Sequence, residues 1–170
     1  RVVKYSITGQ KISTIGRGRG TRNGYMWHPV GLDFSSTGHL YVADLLNHRI
    51  VKCSCCSCGT AWGGYGLGTG SFYRPWGVAI DSNDNVFVSE HNMHRIQKFD
   101  TSGNISTSFG SLGNGDGEFY YPYGIAIDSD DRVLVPEWNN KRLSRFTKTG
   151  TFVDQIGKGV RRIDNMIKAM

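Results

Sequence analysis

The sequence predicts an all-β fold assembled from four-stranded antiparallel blades, and three observations predict it. The first is an internal repeat. Pro29, Pro75 and Pro122, then Gly31, Gly77 and Gly124, then Arg49, Arg95 and Arg142 recur at intervals of 46 and 47 residues. Three anchors that agree on both intervals mark one structural unit copied along the chain. The second is a hydrophobic period of two inside each copy: Val86 and Val88 alternate with Phe87 and Ser89, as on a half-buried strand. The third is composition. With 23 glycines and only 4 prolines in 170 residues, the chain is rich in tight turns and poor in linker sequence.

The elements follow in order. In the second copy, strand a is expected at Gly77–Ile80, b at Val86–Glu90, c at Arg95–Phe99 and d at Ile105–Phe109. The a–b connection reads DSND there and DSDD in the third copy, where Asp and Ser side chains cap their own backbone. The c–d connections place Gly9, Gly103 and Gly150 at a turn needing positive φ. RVVKY at the start of the chain matches RIVKC, RIQKF and RLSRF, so it is a fourth strand c. Four strands per repeat of about 45 residues is the spacing of a propeller blade. The expected organisation is a half-blade over 1–16 (strands c and d), blades over 29–63, 75–110 and 122–157, and a basic tail over 158–170. That is about three and a half blades, an incomplete ring to be completed by missing blades or by another chain.

The pattern P-x-G-[IV]-A-[IV]-D, then V-[YF]-V-[AS]-[DE], then N-x-R-[IV] resembles the NHL repeat. It is fullest in Ala43-Asp44-Leu45-Leu46-Asn47-His48-Arg49-Ile50. The resemblance spans residues 1–157 and departs at three places. Met93 replaces the repeat Asn, Pro136 stands in strand b, and Asp33-Phe34-Ser35 interrupts the first A-[IV]-D step. Pro136 removes a ladder donor and is expected at an edge or bulge. The resemblance implies a binding module like the one ending tripartite-motif ubiquitin ligases, where NHL propellers bind RNA or protein. No RING, B-box or coiled coil is present, so ligase activity is not implied.

Charge narrows the partner. Residues 1–32 carry six basic residues and no acid, the middle is slightly acidic, and the tail is basic. The net +6 therefore belongs to the ends, and a uniform polyanion-binding surface is not implied. No stretch approaches the ~20 apolar residues of a spanning helix.

In propeller geometry the d–a and b–c loops share a face. That face is expected to collect Arg17, Arg19, Arg22, Tyr25, Trp27 and His28 from the first d–a loop. Tyr65, Tyr73, Arg74, Tyr120 and Tyr121 follow from the next two, and His48, His91, His94, Trp138, Asn139 and Lys141 from the b–c loops. Arginines interleaved with rings suit single-stranded nucleic acid, with phosphates paired and bases stacked. The structural alternative is that Trp27, Tyr73 and Tyr121 plug the seams between blades, and that GRGRGTR is a solvated flexible loop. The acid–arginine pairs Asp44/Arg49, Glu90/Arg95 and Glu137/Arg142, present in every copy, are read as structural clamps.

His48, His91 and His94 form an alternative zinc or calcium site, since three neutral imidazoles can hold a metal and amidating lyases of similar fold carry an axial zinc. Against it, His48 and His94 are one repeat position, so the fold already accounts for them. All four cysteines lie in Cys53-Ser54-Cys55-Cys56-Ser57-Cys58. Cys53 stands where the other strands c carry an aromatic, and is expected as a small core residue. The run is too tight for a zinc-finger spacing, and soft-metal or disulfide chemistry is the alternative. Because adjacent cysteines pair unfavourably, it is read as a local irregularity without chemistry. Asn104-Ile105-Ser106 is an N-glycosylation sequon in a turn. No nucleophile elbow or phosphate loop is present.

The expectation is a binding scaffold, not an enzyme, with no cofactor and most naturally a protein partner, RNA being the second choice. The alternatives are a secreted metal-dependent propeller enzyme of lyase or lactone-hydrolase type, and a structural subunit. A tripartite-motif-like role implies the cytoplasm; the sequon at Asn104 implies an extracellular one.

Overall fold

The computed structural model of the chain describes residues 1–54 and 57–157. Cys55, Cys56 and the basic tail over 158–170 lie outside the described residues. The described chain is all-β, with fourteen strands in one two-stranded and three four-stranded antiparallel sheets. The first sheet pairs β1 (Val2–Tyr5) with β2 (Lys11–Ile15). The second runs in chain order through β3 (Pro29–Phe34), β4 (Leu40–Asp44), β5 (Arg49–Cys53) and β6 (Cys58–Gly63). The third holds β7 (Pro75–Ile80), β8 (Val86–Glu90), β9 (Arg95–Phe99) and β10 (Ile105–Phe109). The fourth holds β11 (Ala126–Ile127), β12 (Val133–Glu137), β13 (Arg142–Phe146) and β14 (Phe152–Ile156). Strand β7 begins two residues before the Gly77 expected from the sequence. Each sheet is a meander with neighbouring strands adjacent, which is the blade architecture, and the described sheets form no closed ring.

The core lies between blades. Tyr41, Ile50 and Phe72 meet Val78, Val86 and Phe99 across one seam; Phe87, Ile96 and Phe119 meet Val133 and Phe146 across the next. Ile15 and Met26 close the seam between the first sheet and the second. The seam plugs are therefore Met26, Phe72 and Phe119, all buried. Trp27, Tyr73 and Tyr121, expected in that role, stay exposed or half-buried at the loop end, because the side chain entering the core of each seam comes earlier in the loop. The blades approach closely there: a Cβ on Gly31 would stand 2.5 Å from the Trp76 carbonyl oxygen.

Polar links repeat with the blades. The backbone N–H and hydroxyl of Ser36 donate to Asp84 at 2.7 Å, and Ser82 does the same to Asp131. Lys52 reaches the Thr101 carbonyl and Lys98 the Lys148 carbonyl. At Asp33, out of pattern in its copy, the carboxylate accepts the Ile80 N–H of the next blade.

Two expectations change. Pro136 sits inside β12, paired with Leu143, and not at an edge. Its carbonyl accepts from Tyr123 N–H on the side of strand a. In a strand the nitrogen of the same residue faces the same way, so the missing donor points where β11 has shrunk to two residues. Cys53 is buried as expected, but it is bonded to Cys58. The two lie directly opposite across β5 and β6, with Cα atoms 3.9 Å apart, so the bridge closes the hairpin. Antiparallel register, not sequence adjacency, sets the pairing.

Candidate functional site

Each d–a loop is held by a carboxylate and an arginine from the blade that follows it. Arg49 Nε donates to Asp44 at 2.9 Å, and its Nη atoms donate to the carbonyls of Thr21, Arg22 and Tyr25. Arg95 pairs with Glu90 and reaches the carbonyls of Leu67, Gly68 and Ser71. Arg142 pairs with Glu137 at 2.6 Å and reaches those of Asn114, Gly115 and Glu118. The same carboxylates accept the backbone N–H of Trp27, Tyr73 and Tyr120. Asn47 and Asn140 add a bond from the b–c loop to Gly20 and Gly113. Where Met93 breaks that pattern, the amide of buried Gln97 bonds Glu90, Ser71 and Gly70 instead. GRGRGTR is thus tied to the following blade by its backbone: the carbonyls of Thr21 and Arg22 accept from Arg49, and that of Gly20 accepts from Asn47.

The loop backbones repeat while their exposed side chains differ. The N–H of Met26, Phe72 and Phe119 bonds the carbonyl of Gly18, Gly64 and Ser111. One residue further on stand Arg19, Tyr65 and Leu112, all exposed: a cation, a phenol and an aliphatic at one position. Arg19 lies over the Trp27 ring at 4.2 Å, and Tyr65 meets Tyr73 edge-on at 5.8 Å. Arg17, Arg22 and His28 are exposed around them, and Tyr25 is half-buried against Gly20. Arg74 stands 5.6 Å over Tyr73.

The second seam gathers aromatics. His91 stacks on Tyr121 at 4.4 Å and meets Trp76 and Tyr123. Trp138, 49 % exposed, reaches Tyr123 at 5.9 Å, and Tyr120 packs on Tyr121. Trp76, Tyr123 and Trp138 line a cavity of about 570 Å³ against the inner strands β3 and β7. Trp76 and Tyr123 were missed by sequence reasoning. Their signal was an aromatic at the variable position of P-x-G, where the first copy has Val30. Lys141 is exposed in the equivalent b–c loop and joins neither cluster.

The histidines do not converge on a metal. His48 Nδ1 accepts the Arg74 N–H at 3.1 Å, and His94 Nδ1 accepts the Tyr121 N–H at 3.1 Å. His91 Nδ1 lies 3.1 Å from the Asn92 side chain. Each of the first two therefore ties its own blade to the next, with Nδ1 unprotonated. Among the described residues no group of three or more His, Cys, Asp or Glu could hold a metal ion. The alternative zinc or calcium triad of His48, His91 and His94 is thereby corrected: His91 and His94 share one b–c loop, while His48 lies a blade earlier and is tied to Arg74.

Burial lowers the pKa of His48, His91 and His94, helped at His48 by Arg74 and at His94 by His91, and opposed at His91 by Asn92. A histidine lowered in the fold binds fewer protons than in the unfolded chain, so stability rises with pH through this window. Their contribution is complete above about pH 6.5 and is lost as pH falls through the lowered values. The urea midpoint should fall between about pH 7.5 and pH 5.5, and His48→Gln with His94→Gln should flatten that fall. Asp84 and Asp131 are held below the usual carboxylate range by Ser36 and Ser82, so they titrate under this window.

Comparison with known proteins agrees with the repeat. The NHL repeat family matches residues 26–53 and 72–99. Protein lin-41 of Caenorhabditis elegans is 40% identical over 43 residues, covering 25% of this chain and 4% of that protein. Among solved structures, a catalytically inactive virginiamycin B lyase from Staphylococcus aureus, solved with quinupristin, is similar at TM-score 0.66 and 18% identity. The match covers 94% of this chain and 49% of the lyase. A gluconolactonase from Xanthomonas campestris is similar at TM-score 0.66 and 15% identity, over 92% of this chain and 55% of that enzyme. The chain thus spans about half the length of these enzymes and a small part of lin-41. At these identities the likeness shows the fold alone. It corrects the expectation that the chain is not an enzyme: its fold is one that lyases and a lactonase use, and blade architecture gives no ground for excluding catalysis. No described helix is long and apolar enough to cross a membrane.

Proposed function

We propose that the chain, which carries NHL repeats at residues 26–53 and 72–99, binds through its d–a and b–c loop face a protein partner with an acidic, hydrophobically anchored surface. The observation that carries this is a constant backbone under varied side chains. The clamps fix three loops alike, while Arg19, Tyr65 and Leu112 offer three chemistries at one position. Rings already held by neighbours lose little entropy on binding, which makes Trp27, Tyr65, Tyr120 and Trp138 suitable anchors. Arg17, Arg19, Arg22 and Arg74 supply charge steering toward an acidic surface.

The Arg19–Trp27 stack favours one second reading, single-stranded RNA held by arginine and ring together. The two separate in one experiment. A displayed random-peptide library panned against the chain is expected to enrich acidic sequences with aromatic or aliphatic anchors. Their affinity should drop about tenfold or more in Trp138→Ala and in the Arg17→Ala/Arg19→Ala/Arg22→Ala variant. Oligoribonucleotide binding that weakens steeply with salt, with no acidic peptide enriched, would favour RNA instead. Binding unchanged in both variants would overturn the proposed face.

A further inference from the structure

The c–d turn of the third sheet joins a modification motif to a geometry that suits it. Asn104-Ile105-Ser106 is the one Asn-x-Ser/Thr sequence in the chain. Asn104 follows Gly103, whose φ of +88° closes the turn, and it is exposed together with Ile105 and Ser106. Asp100 orders the turn from within: its carboxylate accepts the N–H of Ser102 at 2.8 Å and of Asn104 at 2.9 Å. Asn104 Nδ2 also donates to Asp100 Oδ2 at 2.8 Å. An amide nitrogen carries two hydrogens, so one is engaged and the other is free.

A second observation is independent of the motif. The neighbouring hairpin is closed by the Cys53–Cys58 disulfide. Ser54 and Ser57 of that hairpin face Thr101 and Ser102 across a shallow groove. A disulfide persists in an oxidising compartment and is rare where thiols are kept reduced. A secretory compartment supplies the conditions that both features use, and they sit side by side at the end of the blades opposite the binding loops. A glycan there leaves the loop face open.

We infer that Asn104 is an N-glycan acceptor and that the chain matures in an oxidising secretory compartment. In the step, Nδ2 attacks the anomeric carbon of a lipid-linked oligosaccharide. The bond from that carbon to the diphosphate oxygen breaks, and the lipid diphosphate leaves. Nδ2 gives one proton to a base of the transferase. The remaining hydrogen still reaches Asp100, so the turn keeps its internal bond after transfer. An extracellular location also favours the protein partner over RNA, although the glycan does not depend on that reading.

The test uses the native protein from its source. Treatment with peptide-N-glycosidase in heavy-oxygen water is expected to convert Asn104 to labelled Asp and to remove a mobility shift on denaturing gels. Thiol alkylation before reduction should leave Cys53 and Cys58 unlabelled. Expressed from its own gene in cells of that source, Asn104→Gln should lose the shift entirely. Ser106→Ala, which keeps the asparagine, should lose it too, and Ser106→Thr should retain it. An unmodified Asn104 in the native peptide overturns the glycan, and alkylated Cys53 and Cys58 overturn the compartment.

Discussion

Replacing Arg142 with alanine is expected to destabilise the chain by about 3–5 kcal/mol, read as a lowered urea midpoint, because it strands a buried carboxylate. Arg142 is 1% exposed and Glu137 is fully buried. Its guanidinium donates to Glu137, to the Gln155 side chain and to three carbonyls of the preceding loop. Ser144 and Asn140 also donate to Glu137, but neither brings a positive charge. The equivalent Arg49→Ala should cost less, about 1–3 kcal/mol, since the Arg49 side chain is 14% exposed and water can reach Asp44 once it is gone. An equal loss in the two variants would contradict this ordering. The 111–121 loop should also lose protection from amide exchange in Arg142→Ala, as its carbonyl anchors vanish.

Gly63→Ala is the second large effect. A Cβ there would lie 2.3 Å from the buried Phe72 ring, and Gly63 has φ +92°. Overpacking adds about 1–3 kcal/mol and the left-handed backbone about 1–2 kcal/mol. Gly110 repeats the arrangement, with φ +95° and Phe119 at 2.3 Å, so Gly110→Ala should behave alike. Gly59 has open space around it, and Gly59→Ala should move stability by less than about 0.5 kcal/mol. Thermal denaturation of the three variants checks the contrast.

The blades were legible because period, spacing and turn residues agree at each copy. The position of every strand c followed from the arginine anchor, and the acid–arginine spacing of five already suggested a clamp. Loops carry no period, so nothing in Phe72-Tyr73 or Phe119-Tyr120-Tyr121 says which ring enters the seam. For the same reason the contribution of Trp76 and Tyr123 was hidden, although an aromatic after Pro in two copies was a cue. Cys53–Cys58 was misread because the run was judged by adjacency, while the partner of Cys53 is set by hairpin register. The three histidines looked like ligands along the chain. In the fold, the Nδ1 of His48 and of His94 binds a backbone N–H of the next blade.

The most direct test of the account is where a bound partner sits. Amide-exchange footprinting of the chain with an acidic peptide selected against it should show protection across 17–28, 64–74 and 111–123, and around Trp138. The turns at the other end, including Ser36, Asp84, Asn104 and Lys148, should exchange as in the free chain. Protection confined to those turns, with the loop face unchanged, would contradict a binding face built from clamped loops.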